Sequence, residues 1–284
     1  MQLNPRYGDD PIITLDGPGA SVLAPAARQR RRLAETLASF TADQWAHPTR
    51  CEGWTTREVI AHLDSTNSFW AFSITSGLAG EPTRFLTDFD PVTSPPALIA
   101  STAELATDDL LARFTASTVA LVALLESIDE PGWQTLAEAP PGHLHISAVA
   151  HHALWDSWVH ERDVLLPLGL PQEVHDDEVA ACLRYAASLS PAFALTLAEQ
   201  RIGRLAVQVA EPTLSFSVEV DGRAAVHDGA PDVADLVLRG DAVQLLEALS
   251  LRAPLEQPVP DDAAWLLRGL AVAFDADEGG PQPV

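Results

Sequence analysis

The hydrophobic pattern of the chain changes near residue 200. Before that point, apolar positions recur at the spacing of three and four residues that is typical of amphipathic helices. This spacing predicts helices at residues 22–40, 55–77, 97–129, 145–165 and 174–199. Joints rich in Pro or Gly separate the helices, most plainly at residues 47–54, 81–96 and 139–142. The first part of the chain is therefore predicted to be a helical bundle.

After residue 200 the apolar positions alternate with polar ones. In TLSFSVEV, Leu214, Phe216, Val218 and Val220 alternate with polar residues, and the following Asp-Gly pair is typical of a hairpin turn into another strand. GRLAVQVA before this segment and ADLVLRG after it have the same character. They predict a half-buried antiparallel sheet, and residues 241–251 and 261–274 are predicted to be helices.

The two patterns predict a chain of mixed class, all-α and then α+β. We expect residues 1–170 to form a four-helix bundle with an N-terminal extension, and residues 171–275 to form a smaller α+β domain. Residues 276–284 carry too little apolar surface to order themselves and are expected to be a flexible tail.

Charge and composition narrow the possible functions. The chain has 284 residues and a formal net charge of -23, which disfavours nucleic acid and anionic membranes as partners. All 17 basic residues are Arg, so Schiff-base chemistry, pyridoxal phosphate attachment and P-loop phosphate binding lack the lysine that they require. The only basic cluster, at residues 28–32, is interpreted as the solvated face of the first helix.

The sequence also indicates a cytoplasmic protein. Its start, MQLNPRYGDDPIITLDG, has neither the basic segment nor the apolar stretch of a signal peptide, and no apolar run reaches the length of a membrane span. Two cysteines, Cys51 and Cys182, do not make a disulfide framework. Cys51 could be a nucleophile, but no feature of the sequence lowers its pKa, so packing is the favoured interpretation.

Candidate chemistry is concentrated in the fourth predicted helix. The segment HLHISAVAHHALWDSWVHER holds five of the nine histidines. His152, Asp156 and His160 recur every four residues and therefore share one helix face. This spacing favours a metal site, although a histidine packed in the core, or an ordinary ion pair between Asp156 and His160, would give the same pattern.

A further histidine strengthens the metal hypothesis. In RCEGWTTREVIAHL, Thr55 and Glu58 have the spacing of a capping box, so a helix is predicted to carry His62 about two turns inside it. Facing helices of a bundle often hold a metal between them. Two imidazoles and a carboxylate, from His62, Asp156 and His160, suit Zn²⁺ with one open position, and the same set could accept Fe²⁺ or Ni²⁺.

Three other residues are candidates for catalysis. His152 could be a fourth ligand or a base, or it could simply pack. Asp163 could accept a hydrogen bond from the His160 imidazole and orient it, or be an exposed helix charge. Arg84, in the joint after the second helix, could clamp a substrate carboxylate, or lie on the surface without a role.

Two stretches carry a family resemblance. WAHPTRCEGWTTREVIAHL and WDSWVHERD resemble the mycothiol-dependent maleylpyruvate isomerase family, whose first domain belongs to the DinB-like superfamily. LRGDAVQLLEALSLRAP resembles the sterol-carrier-like second domain of that family. The resemblance implies zinc ligands at His62, Asp156 and His160. The family has Glu at the carboxylate position, and Asp156 is one methylene shorter, so it could reach the ion differently or only through water.

The resemblance implies a thiol-dependent enzyme. The open metal position would bind the sulfur of mycothiol, and the thiol would then be transferred to a small electrophile or catalyse its cis-trans isomerisation. Mycothiol is confined to actinobacteria, and a Lys-free chain rich in Ala and Arg is compatible with their GC-rich genomes. Two alternatives remain open: a hydrolase or biosynthetic enzyme that uses metal-bound water, and a noncatalytic ligand-binding or stress-response protein. The sequence is compatible with a monomer or a homodimer.

Overall fold

The computed structural model describes residues 4–197, 201–231 and 233–274. The predicted flexible tail at 276–284 lies outside this range. The described helices are α1 (Leu23–Leu37), α2 (Ala42–Trp45), α3 (Thr56–Leu78), α4 (Ser94–Ala100), α5 (Thr107–Glu126), α6 (Ile146–Leu165), α7 (Asp176–Thr196), α8 (Ala242–Leu249) and α9 (Trp265–Ala273). The described strands are β1 (Ile13–Leu15), β2 (Leu136–Ala139), β3 (Gly142–His145), β4 (Gly203–Val209), β5 (Leu214–Val220), β6 (Ala224–Asp228) and β7 (Leu236–Gly240).

Four helices form the predicted bundle. Helix α1 packs against α5 and α6, and α3 packs against the same two helices, which closes a four-helix arrangement. The capping box at the start of α3 is present, because the Glu58 carboxylate accepts the backbone N–H of Thr55. This box fixes where α3 begins and hence where its side chains point.

Two parts of the bundle differ from the sequence prediction. Residues 97–129 are not one helix, because the chain leaves helical geometry between α4 and α5. There the Arg57 guanidinium donates to the carbonyl oxygens of Thr102 and Leu105, which replaces the bonds that a continuous helix would make. Residues 139–142 are not a simple joint either, since they turn the hairpin of β2 and β3.

The second part of the chain contains a five-stranded sheet in the order β1-β6-β5-β4-β7. Strand β5 pairs antiparallel with β4 and β6, as predicted. The two outer pairings are parallel, β7 with β4 and β1 with β6, so the sheet is mixed and not purely antiparallel. Strand β1 comes from the N-terminal extension, and its Ile13 lies opposite Ala224. The first residues of the chain therefore complete the sheet of its last part.

Helix α7 lies between the bundle and the sheet. It contacts α6 on one side, α8 and α9 along its length, and strands β5 and β6. By length and composition α7 could cross a membrane, but most of its apolar window is buried inside the protein. It is therefore the core helix on which the two parts of the chain meet.

The basic cluster of α1 is only partly a solvated face, in which Arg31 is exposed and pairs with the exposed Glu126. Arg30 is completely buried, and its guanidinium donates to Asn67 and to the carbonyl oxygen of Ala153. Arg32 forms ion pairs with Glu161 of α6 and Glu178 of α7, both of which are buried. Arg30 and Arg32 pair with buried acceptors and carboxylates on the neighbouring helices. The sequence of α1 alone does not indicate these partners.

Candidate metal centre

The structure brings together three side chains from two adjacent helices. His62 lies two turns inside α3, and Asp156 and His160 lie one turn apart on α6. The Nε2 atoms of His62 and His160 are 3.6 and 3.5 Å from Oδ1 of Asp156. Their potential ligand atoms all lie within 4.8 Å of one another.

The spacing of the three atoms suits a tetrahedral cation. Bonds of about 2.0–2.1 Å to zinc place two ligand atoms about 3.4 Å apart, close to both measured separations. The shorter side chain of Asp156, compared with Glu, therefore does not keep its carboxylate away from the histidines. The three side chains are 11–14% exposed, so the cluster is shielded but remains accessible to small molecules.

Neighbouring residues fix the orientation of the cluster. The hydroxyl of Thr66, one turn after His62, donates to the second carboxylate oxygen of Asp156 at 3.3 Å. The indole of Trp54 packs on His62, with ring centroids 5.5 Å apart. The first contact holds the Asp156 carboxylate, and the second holds the His62 ring, whose Nε2 faces Asp156.

Asp163 holds the other side of His160. Its Oδ2 is 3.0 Å from His160 Nδ1, and the carboxylate is completely buried. This contact places a proton on Nδ1, so Nε2 is the nitrogen that would bind a cation. The hydrogen bond connects residues one turn apart on α6.

Arginines from two distant segments hold Asp163 in place. Arg252, which follows α8, donates to both carboxylate oxygens, and Arg50 donates to Oδ1 at 2.9 Å. Arg50 also pairs with Glu247 of α8. Burial by itself would raise the pKa of Asp163, but the charge of Arg252 and the hydrogen bond from His160 hold that pKa well below its usual range.

Cys51 belongs to this support and not to a second metal site. Its Sγ lies 3.3 Å from Asp163 Oδ2 and 3.6 Å from His160 Nδ1, so the three residues have the proximity of a ligand set. However, the Asp163 carboxylate already accepts two guanidinium groups, from Arg50 and Arg252. A cation beside them would meet two fixed positive charges, which disfavours its binding.

The charges of the cluster stabilise its ionised forms. Burial would raise the pKa of Asp156, but the hydrogen bond and charge of His62 and the charge of His160 hold it well below its usual range. Burial would also lower the pKa of His160. Cys51 and the carboxylates of Asp163 and Asp156 raise it instead, to about 10. In the metal-free protein His160 is therefore protonated at neutral pH.

His152 occupies a different environment, one turn before Asp156. Its Nδ1 is 2.6 Å from the hydroxyl of Tyr185 on α7, and its ring is enclosed by Trp70, Trp155 and Tyr185. Burial lowers the pKa of His152 to about 4. The structure thus places His152 beside the three ligand candidates without making it a member of their set.

Arg84 is not brought to this cluster. Its guanidinium lies over the ring of Tyr7, 5.5 Å from the ring centroid, and the Tyr7 hydroxyl donates to the buried Glu138. Its contacts tie the segment after α3 to the N-terminal extension. The sequence did not indicate Arg50, Arg252 or Tyr185, because each lies in a segment far along the chain from the histidine that it supports.

The combination of fold and site defines a class of protein. The described residues form a four-helix bundle that presents two histidines and a carboxylate between two of its helices, and an α+β unit follows it, which is the fold class predicted from the sequence. Residues 26–165 match the family model of the mycothiol maleylpyruvate isomerase N-terminal domain. This match confirms the resemblance seen in the sequence and the expectation of an enzyme.

Solved structures agree with the family match. The fold is similar to a crystal structure of a mycothiol-dependent maleylpyruvate isomerase, with a TM-score of 0.60 and 18% sequence identity. It is also similar to a histidine-to-alanine mutant of such an enzyme, with a TM-score of 0.59 and 17% identity. Each comparison covers 86% of this chain and 97% of the other. No curated protein matches the sequence.

Proposed function

We propose that the protein is a metal-dependent enzyme that uses a low-molecular-weight thiol, mycothiol, to isomerise a small electrophile across a cis double bond. The observation that carries this proposal is the convergence of His62, Asp156 and His160, with Asp163 fixing the proton of His160. The family of the bundle and the names of the two similar structures supply the thiol and the reaction class.

The donor set fits a divalent metal ion. His62, Asp156 and His160 would hold the ion through two imidazole nitrogens and one carboxylate oxygen, which suits Zn²⁺ first and Ni²⁺ or Fe²⁺ next. When bound, the ion would supply a Lewis acid that lowers the pKa of a thiol. His160 would hold the ion through a deprotonated Nε2, and Asp163 would keep the proton on Nδ1.

The protein residues around the cluster have separate tasks. Asp163, held by Arg50 and Arg252, orients the His160 ring. Trp54 and the aromatic residues near His152 limit the access of water, which favours the thiolate over hydroxide as the nucleophile. The thiolate sulfur adds to one carbon of the double bond, rotation follows about the resulting single bond, and elimination returns the thiolate. No atom is lost and no oxidant is needed.

The other expectations from the sequence remain part of this proposal. We retain a cytoplasmic, actinobacterial setting, which the use of mycothiol requires, and a monomer or homodimer without nucleic acid or membrane partners. Arg84 remains a predicted contact for a substrate carboxylate, although in this structure it lies on Tyr7. The substrate itself is a small electrophile, with maleylpyruvate as the first compound to test.

Metal content and thiol dependence together test the proposal. The protein, purified without chelator, is expected to bind one divalent ion per chain and to isomerise maleylpyruvate with mycothiol but not without it. His62→Ala and His160→Ala should lose both properties, while His175→Ala, at an exposed histidine that contacts Glu173, should keep them. A protein that binds no metal after reconstitution would refute the proposed site. Turnover that is independent of thiol would indicate the hydrolase alternative, and accumulation of a stable thioether would indicate an S-transferase.

A further inference from the structure

An aromatic enclosure surrounds His152 next to the candidate metal centre. The ring centroids of Trp70, Tyr185 and Trp155 lie 4.8, 5.3 and 5.4 Å from that of His152. These residues come from α3, α7 and α6, so three helices build the enclosure. Trp155 is in turn held by a hydrogen bond from its Nε1 to the hydroxyl of Ser250, which follows α8.

The hydrogen bond between Tyr185 and His152 selects one tautomer of the imidazole. If the tyrosine hydroxyl donates to Nδ1, its proton is satisfied and the histidine carries its own proton on Nε2. If Nδ1 donated instead, the completely buried hydroxyl of Tyr185 would keep a proton without an acceptor. The first arrangement leaves fewer buried groups unpaired, so the His152 Nε2–H is a donor. Burial, which lowers the pKa of His152 to about 4, keeps the ring neutral.

Two donors in this enclosure lack an acceptor. Within the described part of the chain, the hydrogen bond of His152 runs through Nδ1 to Tyr185, and none involves its Nε2. The indole Nε1–H of Trp70 is completely buried and also has no partner among the described residues. The buried N–H of Trp70 is costly without an acceptor, and buried donors of this kind in functional sites commonly await a ligand oxygen.

We propose that His152 is the catalytic hydrogen-bond donor to the carbonyl oxygen of the substrate, with Trp70 as the second donor of the same aromatic enclosure. This role rests on the proposed thiol-dependent function, and it restricts the electrophile to an α,β-unsaturated carbonyl compound. His152 is then neither a metal ligand nor a base. Its position one turn before Asp156, beside the metal ligands, puts the donor next to the reacting centre.

The proposed step balances without proton transfer. The sulfur of the thiolate forms a bond to the β-carbon, and the π electrons of the double bond move to the carbonyl oxygen to give an enolate. His152 Nε2–H stabilises the negative charge on that oxygen while the carbon–carbon single bond rotates. The electrons then return, the carbonyl and the double bond form again, and the carbon–sulfur bond breaks. A preorganised neutral donor is well suited to this charge because it needs no reorganisation during the reaction.

Matched substitutions test the role of His152. His152→Leu removes the donor with a similar volume, whereas His152→Gln keeps a side-chain N–H near the position of Nε2. His151→Gln is the control, because His151 is the adjacent buried histidine and contacts the carbonyl oxygen of Ser147 through Nδ1. The assay is mycothiol-dependent isomerisation of maleylpyruvate, with kcat, KM and bound metal measured for each variant.

We expect His152→Leu to lower kcat by about 100- to 1000-fold, as the loss of one oxyanion donor does elsewhere, with bound metal unchanged. His152→Gln should keep activity within about tenfold, a rescue that a merely structural role would not predict. A kcat of His152→Leu within threefold of the wild type would overturn the role, and so would loss of the metal in that variant. If His152→Leu does not fold, Tyr185→Phe takes its place, and unchanged kcat there would overturn the tautomer argument.

A second measurement separates this inference from the proposed function. In protein labelled with ¹⁵N at histidine, the His152 ring should show the neutral form protonated at Nε2, with His152→Gln used to assign the signal. A proton on Nδ1, or a doubly protonated ring at pH 7, would overturn the donor assignment whatever the activity. If the wild type shows no thiol-dependent turnover, the proposed function fails and the enolate role fails with it. The NMR spectrum still tests the hydrogen bond between Tyr185 and His152 in that case.

Discussion

Replacing Asp163 with Asn tests whether its charge supports the metal centre. The substitution preserves the shape of the side chain but removes a completely buried negative charge. In the native protein this carboxylate accepts hydrogen bonds from Arg50, Arg252 and His160, at distances of 2.9–3.0 Å. In the Asp163→Asn variant the two guanidinium groups would face a neutral amide.

The size of the effect follows from the burial of each partner. Removing one member of a buried ion pair costs about 3–5 kcal/mol, because the remaining charge is left uncompensated. Arg50 is 23% exposed and keeps Glu247, so it contributes little to this cost. Arg252 is only 8% exposed and would lose its counter-charge, so we expect Asp163→Asn to lose about 3 kcal/mol of unfolding free energy. Because His160 would also lose its orienting acceptor, metal affinity should fall by about 10- to 100-fold.

Urea unfolding of the metal-free protein at pH 7 measures the first effect, and competition with a chromogenic chelator measures the second. Asp163→Asn combined with Arg252→Met removes both charges, so it should be more stable than Asp163→Asn alone. Asp177→Asn is the control, since Asp177 is 53% exposed in its pair with Arg28, and it should change stability by less than about 1 kcal/mol. A loss below about 1 kcal/mol for Asp163→Asn, together with unchanged metal affinity, would refute the reasoning.

Three further predictions concern the protonation, geometry and packing of the protein. The raised pKa of His160 stabilises the metal-free fold below its unfolded pKa of about 6.5, and this stability is lost as pH rises towards the folded value of about 10. Metal binding at pH 7–8 should therefore release about one proton from His160. Calorimetry in buffers of different ionisation enthalpy measures this release, and equal heats of binding in all buffers would contradict it. Asp156→Glu should weaken metal binding about tenfold, because the native carboxylate oxygen already lies at the distance from both histidine nitrogens that a tetrahedral ion requires. Tighter metal binding by the variant in chelator competition would contradict this prediction. Gly269→Ala would place a Cβ 2.0 Å from the carbonyl oxygen of Ser190, where α9 crosses α7, and should lower the unfolding free energy by about 3 kcal/mol. Gly8→Ala is the control, because a Cβ there would meet open space and should leave the unfolding free energy unchanged. Similar urea midpoints for the two variants would contradict the packing.

The local parts of the structure were predictable from the sequence. The apolar period located α1, α3, α6 and α7, and alternation located β4 to β7, because each of these patterns repeats within one element. The histidine and carboxylate spacing on α6 placed Asp156 and His160 together for the same reason. Thr55 and Glu58 set the start of α3, so the position of His62 could also be inferred.

The remaining features depend on contacts between distant segments. The break before α5 was missed because its Ala, Ser, Thr and Leu residues are compatible with a continuous helix, and Arg57 of another helix stabilises the break. The support of Asp163 by Arg252, and the pairing of His152 with Tyr185, join residues that no local pattern relates. The sequence of α1 predicts Arg30 in solvent, because it does not indicate that the acceptors of this guanidinium are buried on α3 and α6.

Strand β1 has a consequence for the order in which the protein folds. It precedes the bundle in the chain, whereas its partner β6 follows the bundle, so β6 leaves the ribosome after the bundle helices have been made. The strand must wait unpaired while the bundle is completed, and closing so long a loop makes its docking a late event. A substitution or deletion that disturbs Ile13 would therefore leave the bundle helices intact and impair the sheet, which forms after them.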